Sequence, residues 1–162
     1  MTEDFTSDAE FSFDDFFDSD FATAKDELPP VGHYLAEVVK VGDMRWFEGE
    51  DNSKPPVQIV PFFLNLLEPQ EDVDRQELED VGGFDTIRAR LYQFDFWCYT
   101  QGSTKRFLVK QLGVPANAES WAAAFAATVG ARVIVKIDHE PSKKDPDVIY
   151  PRIKSKNVTL AE

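Results

Sequence analysis

Two stretches in the second half of the chain alternate basic or aromatic residues with apolar ones at the two-residue period of a β-strand. Such a strand presents its cations and rings on one face. The basic and aromatic residues concerned are Arg88, Arg90, Tyr92, Tyr150, Arg152, Lys154 and Lys156. Cations can follow the phosphates of a single nucleic-acid strand while rings stack on its bases, each stacked base contributing about 1–3 kcal/mol. The pattern therefore favours single-strand binding, although half-exposed strands of any function also alternate polar and apolar residues.

Two polar stretches add residues of the same kinds and are predicted to be exposed loops, 43–56 and 140–146. Their basic and aromatic residues are Arg45, Trp46, Phe47, Lys54, Lys143 and Lys144. If they flank a basic strand face, these loops would clamp a bound strand from either side. Further rings lie close by in the sequence, at Tyr92, Phe94, Phe96, Trp97 and Tyr99. Taken singly, each of these rings is better explained as part of a core.

Catalytic groups are sparse in this sequence. Its two histidines, His33 and His139, have no partner at metal-ligand spacing, which argues against a zinc site. There is no phosphate-binding GxxxxGK[ST] loop, no GxGxxG turn and no GxSxG elbow. The carboxylates that could converge on magnesium, as in a two-metal nuclease, are Glu37, Asp85, Asp138 and Glu140. Because the chain has 30 acidic residues, such a group is expected by chance, and we expect no enzymatic activity, metal or cofactor.

The charge of the chain is unevenly distributed. Its formal net charge of −13 by itself argues against a polyanionic partner. Residues 1–30 carry ten acids and one lysine, for −9, and residues 31–85 carry thirteen acids and four bases, also for −9. Residues 86–162 carry seven acids and twelve bases, for +5. The basic second half, and not the whole chain, is therefore the candidate nucleic-acid-binding region.

Length and residue types limit the class of protein. A chain of 162 residues, of which 43% are hydrophobic, suits one domain with a substantial core plus a tail. The single cysteine, Cys98, cannot form an internal disulfide, so a reducing cytoplasm is the expected location. The first residues lack a basic stretch followed by an apolar one, and the longest apolar run, 121–131, is about half of a membrane span. We expect neither export nor membrane insertion.

The first thirty residues are predicted to form a disordered acidic tail. They combine ten acids with six phenylalanines and have no β-branched run that could pair as a strand. The segment suited to docking comprises Phe11, Phe13, Asp14, Asp15, Phe16, Phe17, Asp18, Asp20 and Phe21. Acids interleaved with bulky rings fit a basic groove with apolar pockets, whereas a tail that only aids solubility is the simpler alternative.

Residues 31–162 are predicted to form a mainly β domain. Its five strands are predicted at 32–41, 57–67, 84–92, 131–139 and 147–156. Between the third and fourth strands we expect two helices, one capped by Ser103 and ended by Gly113, the other from Asn117 to Gly130. The acidic connection 68–83 is expected to be solvated. This order matches the five-stranded Greek-key OB barrel, whose second and third strands bind single strands or oligosaccharides.

The motifs of this domain resemble those of small OB-fold single-stranded DNA-binding proteins encoded in bacteriophage replication modules. The resemblance covers roughly residues 32–158 and rests on the runs GHYLAEVVKVGD, PFFLNLLEP, KQLGV, GARVIVKIDHEP and KSKNV. It implies a non-catalytic protein that coats single-stranded DNA during phage replication or recombination, often as a dimer or a cooperative array. Such proteins usually carry an acidic, Phe-containing tip for partner recruitment at the carboxyl end, whereas here the acidic segment is amino-terminal.

The expected function is sequence-nonspecific binding of single-stranded DNA in the cytoplasm of a bacterial host. We hypothesise that the amino-terminal segment competes with DNA for the basic face, with carboxylates in place of phosphates and Phe in place of bases. Once released, it would recruit replication or recombination proteins. The alternative is an acidic interaction module or DNA mimic that blocks a host DNA-binding enzyme. DNA binding at low salt separates the two, because binding by phosphate neutralisation falls steeply as salt rises.

Overall fold

The computed structural model of the chain describes residues 28–48 and 55–161. In these ranges, short helices cover one antiparallel sheet of seven strands. The strands are β1 (Gly32–Val41), β2 (Arg45–Phe47), β3 (Val57–Pro69), β4 (Tyr92–Cys98), β5 (Arg132–Pro141), β6 (Ile149–Ile153) and β7 (Thr159–Leu160). The α-helices are α1 (Arg75–Asp80), α2 (Phe84–Arg88), α3 (Gln101–Arg106) and α4 (Trp121–Ala126). A π-helical turn, Phe107–Gln111, continues α3, and a 3-10 turn, Ser155–Asn157, follows β6.

Strand β3 lies at the centre of the sheet. One of its edges pairs first with β2 and then with β1, and its other edge pairs with β4. Beyond β1 the sheet continues through β5, which pairs with both β6 and β7. The edge strands β4 and β6 approach each other, but no ladder joins them within the described ranges. The sheet is therefore curled and open.

The inward-facing side chains of the sheet form the core. β1 alternates as predicted, since Tyr34, Ala36 and Val38 are fully buried. The inward residues of β3 and β5 are Val60, Phe62, Leu64, Leu66, Val133, Val135 and Ile137. The Tyr34 hydroxyl donates a 2.7 Å hydrogen bond to the Pro30 carbonyl oxygen, which satisfies a polar group that would be costly to bury alone. Burial raises the pKa of Tyr34 well above its usual range, so the hydroxyl stays protonated.

The predicted third strand, 84–92, is wrong. This stretch is α2 followed by a turn, and β4 begins only at Tyr92. The residues alternate, but Phe84 and Ile87 are also three positions apart and so can share a helix face. Ile87 is buried and the Phe84 ring stacks on Tyr34 at 6.5 Å, so packing against the core selects the helix. Gly83, with φ 85°, precedes the helix in a conformation that side-chain-bearing residues rarely adopt.

The helices between β4 and β5 differ from the prediction at their starts. Thr100, and not Ser103, caps α3, because the Thr100 hydroxyl oxygen accepts the Ser103 amide at 3.0 Å. Gly113 follows the π-helical turn with φ 73°, so this helical segment ends where the sequence predicts. The second predicted helix, 117–130, is reduced to α4, which Ser120 caps.

The remaining elements differ mainly in length. The second predicted strand extends to Pro69, while the last, predicted at 147–156, is only Ile149–Ile153, and the 3-10 turn begins at Ser155. The connection 68–83 contains α1, whose Leu78 is buried, so it is not wholly solvated. The sequence predicts neither β2 nor β7. The mainly β class is confirmed. The sheet of the described residues is open, so the predicted closed OB-like barrel is not confirmed.

Phe107 anchors the helical segment to the sheet. Its ring stacks on Phe96 with 4.1 Å between centroids. It also meets the rings of Phe62 and Phe94 edge-on at 5.9 and 6.0 Å. Because β4 contributes two of these three partners, the same contact fixes the strand whose outer side carries the candidate interface described below.

Replacing Phe107 with Ala should lower the free energy of unfolding by about 3–5 kcal/mol, because it removes a buried ring from this aromatic stack and leaves a cavity. Phe107→Leu, which keeps most of the apolar volume, should cost less. Urea titration of the two variants and the parent chain measures both effects. A loss below about 1 kcal/mol for Phe107→Ala would contradict the role given to this ring.

Candidate nucleic-acid interface

Four side chains on the outward side of β2, β3 and β4 form a continuous surface, which we call the outer aromatic face: Phe47, Ile59, Trp97 and Tyr99. The register pairs Ile59 with Trp97 on β4, so the two side chains lie on the same side of the sheet. Phe47 meets Trp97 edge-on at 4.8 Å, and Trp97 stacks on Tyr99 at 6.1 Å with an interplanar angle of 23°. Ile59 is fully buried beneath these rings, although it points away from the core cluster.

The connection between β1 and β2, residues 42–44, positions Phe47 over β3. In this connection the Gly42 amide donates a hydrogen bond to the Pro61 carbonyl oxygen at 2.9 Å. A side chain at Gly42 would bring its Cβ within 2.8 Å of atoms of both Pro61 and Phe63. Proline is tolerated inside this strand because the amide that it lacks would point into the gap between β1 and β2. Gly42 and Pro61 thus let the chain stay close to β3 and resume pairing as β2.

Two cations border the outer aromatic face. Arg45 lies opposite Ile59 in the register, and its Nη2 lies 3.0 Å from Asp95 Oδ2 on β4. An ion pair with this much exposure contributes about 0–1 kcal/mol, so a phosphate can compete for the guanidinium. Lys40, near the end of β1, holds its Nζ 5.7 Å from the centre of the Phe63 ring.

The rings of this region are unusually exposed. Tyr99 is 70% exposed and Phe47 45% exposed. Trp46 is 63% exposed, but it pairs with Gln58 and therefore lies on the opposite side of the sheet from Trp97. Trp46 and Trp97 thus do not stack on each other. A contiguous exposed aromatic surface of this kind is typical of a binding site.

The predicted basic face of Arg88, Arg90 and Tyr92 does not exist as a strand face. Arg88 ends α2 and pairs with Asp85 at 2.9 Å, while Arg90 lies in the turn before β4. Tyr92 points into the core and its hydroxyl donates to the Ile87 carbonyl oxygen at 2.8 Å. Burial raises the pKa of Tyr92 above its usual value. A ring held in this way cannot stack on a base.

Only some of the residues predicted on the last strand lie on its outward side. Tyr150 and Arg152 lie on β6, and Lys154 follows them. Glu140 on β5 pairs with both cations, at 3.1 Å to Arg152 Nη1 and 3.8 Å to Lys154 Nζ. Lys156 is exposed in the 3-10 turn. The acid therefore neutralises part of this basic group.

The two stretches predicted as loops lie near opposite ends of β1. Lys143 and Lys144 are exposed in the β5–β6 hairpin, beyond the end at which Gly32 pairs with Ile137. Arg45, Trp46 and Phe47 belong to β2 at the other end and form a short strand instead of a loop. Lys54 and the phenylalanines and aspartates predicted for the docking segment, 11–21, fall outside the described residues.

The four carboxylates considered for a metal do not converge. Each is close to a base: Glu37 to Arg132, Asp85 to Arg88, Asp138 to Lys136 and Glu140 to Arg152. In the described ranges no group of His, Cys, Asp or Glu is arranged to hold a metal ion. Burial raises the pKa of the Cys98 thiol, although the Thr104 hydroxyl partly offsets this. The thiol is therefore protonated near neutral pH and a poor nucleophile.

Trp97 and Tyr99 were not predicted to be surface residues. The signal was present, because Gln93, Asp95, Trp97 and Tyr99 alternate with Tyr92, Phe94, Phe96 and Cys98. Because Gln93 and Asp95 are polar, the set that also contains Trp97 and Tyr99 is the one expected to point outward. The prediction ended the strand at position 92, and this alternation was therefore never assigned to a strand.

Comparison of the chain with protein-family models, with curated proteins and with solved structures found no match. None of the helices in the described part of the chain is long and apolar enough to cross a membrane.

Trp97 and Tyr99 should differ in what they contribute to stability. Trp97→Ala removes the ring that covers Ile59 and contacts Phe47, so we expect it to lower the free energy of unfolding by about 1–3 kcal/mol. Tyr99→Ala removes a mostly exposed ring, and its effect should stay within about 0.5 kcal/mol. Thermal or urea unfolding measures both, and equal losses for the two variants would show that Trp97 does not cover the sheet.

Proposed function

We propose that this chain is a non-catalytic, sequence-nonspecific single-stranded DNA-binding protein of phage replication or recombination, built on an OB-like barrel. The observation that carries the proposal is the outer aromatic face, with Arg45 and Lys40 beside it. Exposed rings and neighbouring cations are the two groups that single strands require, because rings stack on any base and cations follow the phosphates.

The strand order supports the proposal. Starting at one edge, the sheet runs β4, β3, β1, β5, β6, with β2 continuing β1 along the same edge of β3. If β1 and β2 are counted as one bent strand, the five successive barrel strands are β1–β2, β3, β4, β5 and β6. In the OB fold, the ligand-binding face lies on the second and third of these strands. In this numbering they are β3 and β4, which contribute Ile59 and Trp97 to the outer aromatic face, and Tyr99 follows directly after β4.

The proposed mode of binding assigns different tasks to rings and cations. Bases stack on Tyr99 and Trp97, while Arg45 exchanges its Asp95 partner for a phosphate. Lys40 extends the path along β1. Because every base has a π-face and every nucleotide has a phosphate, these contacts do not distinguish sequences. The lysines of the β5–β6 hairpin would add charge at the far end of the path.

The aromatic part of this mode is tested with Tyr99→Ala and labelled oligo(dT). Loss of one stacked base should weaken binding by about 5- to 100-fold, measured by fluorescence anisotropy. Leu91→Ala is the matched control, because Leu91 is a similarly exposed apolar residue, at 55%, in the turn before β4. Equal affinities for the parent chain and Tyr99→Ala would exclude Tyr99 from the interface.

The cationic part is tested by the salt dependence of binding. Replacing Arg45 with Gln should reduce the slope of log affinity against log salt by about 0.7, the value for one phosphate contact with a single strand. Arg88→Gln removes an equal charge from α2, near the start of β4, and should leave the slope unchanged. If both variants change the slope equally, the charge effect is global and does not come from an Arg45–phosphate contact.

The amino-terminal segment is proposed to act as an internal competitor for DNA. A chain that begins at Leu28 lacks the acidic residues before it and should bind oligo(dT) more tightly, with the difference largest at low salt. Anisotropy titrations of both chains at two salt concentrations test this. Unchanged affinity and salt dependence would rule out competition.

The alternative, an acidic module that mimics DNA, is favoured by one surface. The acids of the segment around α1 are exposed: Glu71, Asp72, Asp74, Glu77, Glu79 and Asp80. A DNA mimic would show no retention of oligo(dT) even at low salt, and would instead bind a basic partner protein. That outcome with the full chain and with the chain from Leu28 would replace the proposed function.

A further inference from the structure

A groove of about 390 Å³ opens where β4 ends, beside the outer aromatic face. Its volume lies in the range of about 300–1,000 Å³ that is usual for small-ligand sites. The residues that give the groove its chemistry are Met44, Gln58, Tyr99, Gln101, Trp121 and Phe125. No charged residue of the described ranges lines it. The groove is therefore suited to a neutral, flat group and not to a phosphate.

Tyr99 connects this groove to the outer aromatic face. Directly after β4 the Tyr99 amide donates to the Trp97 carbonyl oxygen at 3.0 Å, and this tight turn lays the Tyr99 ring on Trp97. Thr100 then caps α3, so the chain leaves the sheet at once. The Tyr99 ring thus stands at the corner where the outward side of the sheet meets the groove.

The other wall of the groove is also aromatic. Ser120 caps α4 so that Trp121 is its first residue, and the Trp121 ring lies 6.3 Å from Phe125. Trp121 remains 42% exposed, and Met44, from the step between β1 and β2, remains 43% exposed. Rings and a thioether left in water around a groove are typical of a surface that is covered when a ligand binds.

The floor of the groove offers hydrogen-bonding groups. Gln58 is half-buried on the inward side of β3, between Trp46 and Cys98 in the register. Its side-chain amide makes no hydrogen bond to other described residues, so its donors and acceptor are available to a ligand. An amide carries two donor hydrogens and one acceptor oxygen, which are the groups that pair with the edge of a nucleobase.

We propose that the groove binds a nucleobase of the single strand, adjacent to the base that stacks on the outward side of Tyr99. The inference rests on the proposed function and extends it by assigning a second, enclosed base site. In this arrangement the strand passes around Tyr99, one base lies on the outer aromatic face, and the next lies against Trp121 with its edge towards Gln58. The absence of charge from the groove walls assigns the phosphates to the rim, outside the groove.

Oligonucleotide length tests this site separately from the outer aromatic face. Trp121→Ala should weaken binding of an oligo(dT) of about sixteen nucleotides by about 5- to 100-fold and have a much smaller effect on a single thymidine nucleotide, because only a strand with two successive bases occupies both sites. Trp121→Phe should restore most of the loss, since it keeps a stacking ring. Leu91→Ala again serves as the control for an exposed apolar residue.

A second measurement does not depend on any variant. Photocrosslinking of the full chain to a 5-bromouracil-substituted oligonucleotide, followed by peptide mapping, should give products at Trp121 as well as on β4. Products on β4 alone, with Trp121→Ala binding like the parent chain, would overturn the groove site and leave the proposed function intact. If the parent chain binds no oligonucleotide, both fail. A shift of the Trp121 indole NMR resonance on deletion of residues 1–27, without a Trp121 crosslink, would assign the groove to that segment and also overturn the proposal.

Discussion

Strand β3 carries ladders on both edges along the half that lies beneath the candidate interface. There β2 pairs with one edge and β4 with the other, so three strands are held side by side at fixed spacing. The inward side of β3 is locked into the core by Val60 and Phe62, and Ile59 is fully buried on the outward side. A slip of one residue would move Val60 and Phe62 out of the core, so the register of β3 against its neighbours is fixed. The positions of Phe47, Trp97 and Tyr99 all depend on this constraint.

The same alternation gives β4 two roles. Its inward rings, Phe94 and Phe96, pack on Phe107, while its outward ring, Trp97, is left to contact Phe47 and Tyr99. The energies of the contacts favour binding of a base to the rings on the outward side. An aromatic pair contributes about 0.5–1.5 kcal/mol beyond area burial. A base stacked on an exposed ring contributes about 1–3 kcal/mol. A nucleic-acid strand can therefore add stacking without unpacking the core, which lies on the other side of the sheet.

Sequence periodicity was sufficient where one spacing dominated. β1 was predicted to the residue, because its residues alternate at the two-residue period, β-branched valines recur in it, and glycines mark both of its ends. The stretch 84–92 satisfied both spacings, and only its contacts with Tyr34 and the core resolved the choice in favour of α2. Strand β2 is three residues long and none of them is buried, so only its ladder with β3 identifies it as a strand.

The candidate site was predictable in kind but not in position. The sequence shows that rings and cations recur in the second half of the chain, and Arg45 and Phe47 were named as residues of a predicted exposed loop, 43–56. Because the stretch 84–92 was predicted as a strand, the strand that begins at Tyr92 was not predicted. Tyr92 was therefore placed on an outward face, and Trp97 and Tyr99 were interpreted as core residues. Long-range pairing decides such cases, because which side of a strand is buried depends on residues distant in sequence.

The most direct test of the interface is an amide and indole NMR titration of the isotope-labelled full chain with oligo(dT). We expect the resonances of Phe47, Ile59, Trp97 and Tyr99 to shift together and saturably, while those of α1 and α2 at the other end of β4 stay in place. Shifts centred on α1 and α2, or none at any residue at low salt, would show that the outer aromatic face does not bind DNA.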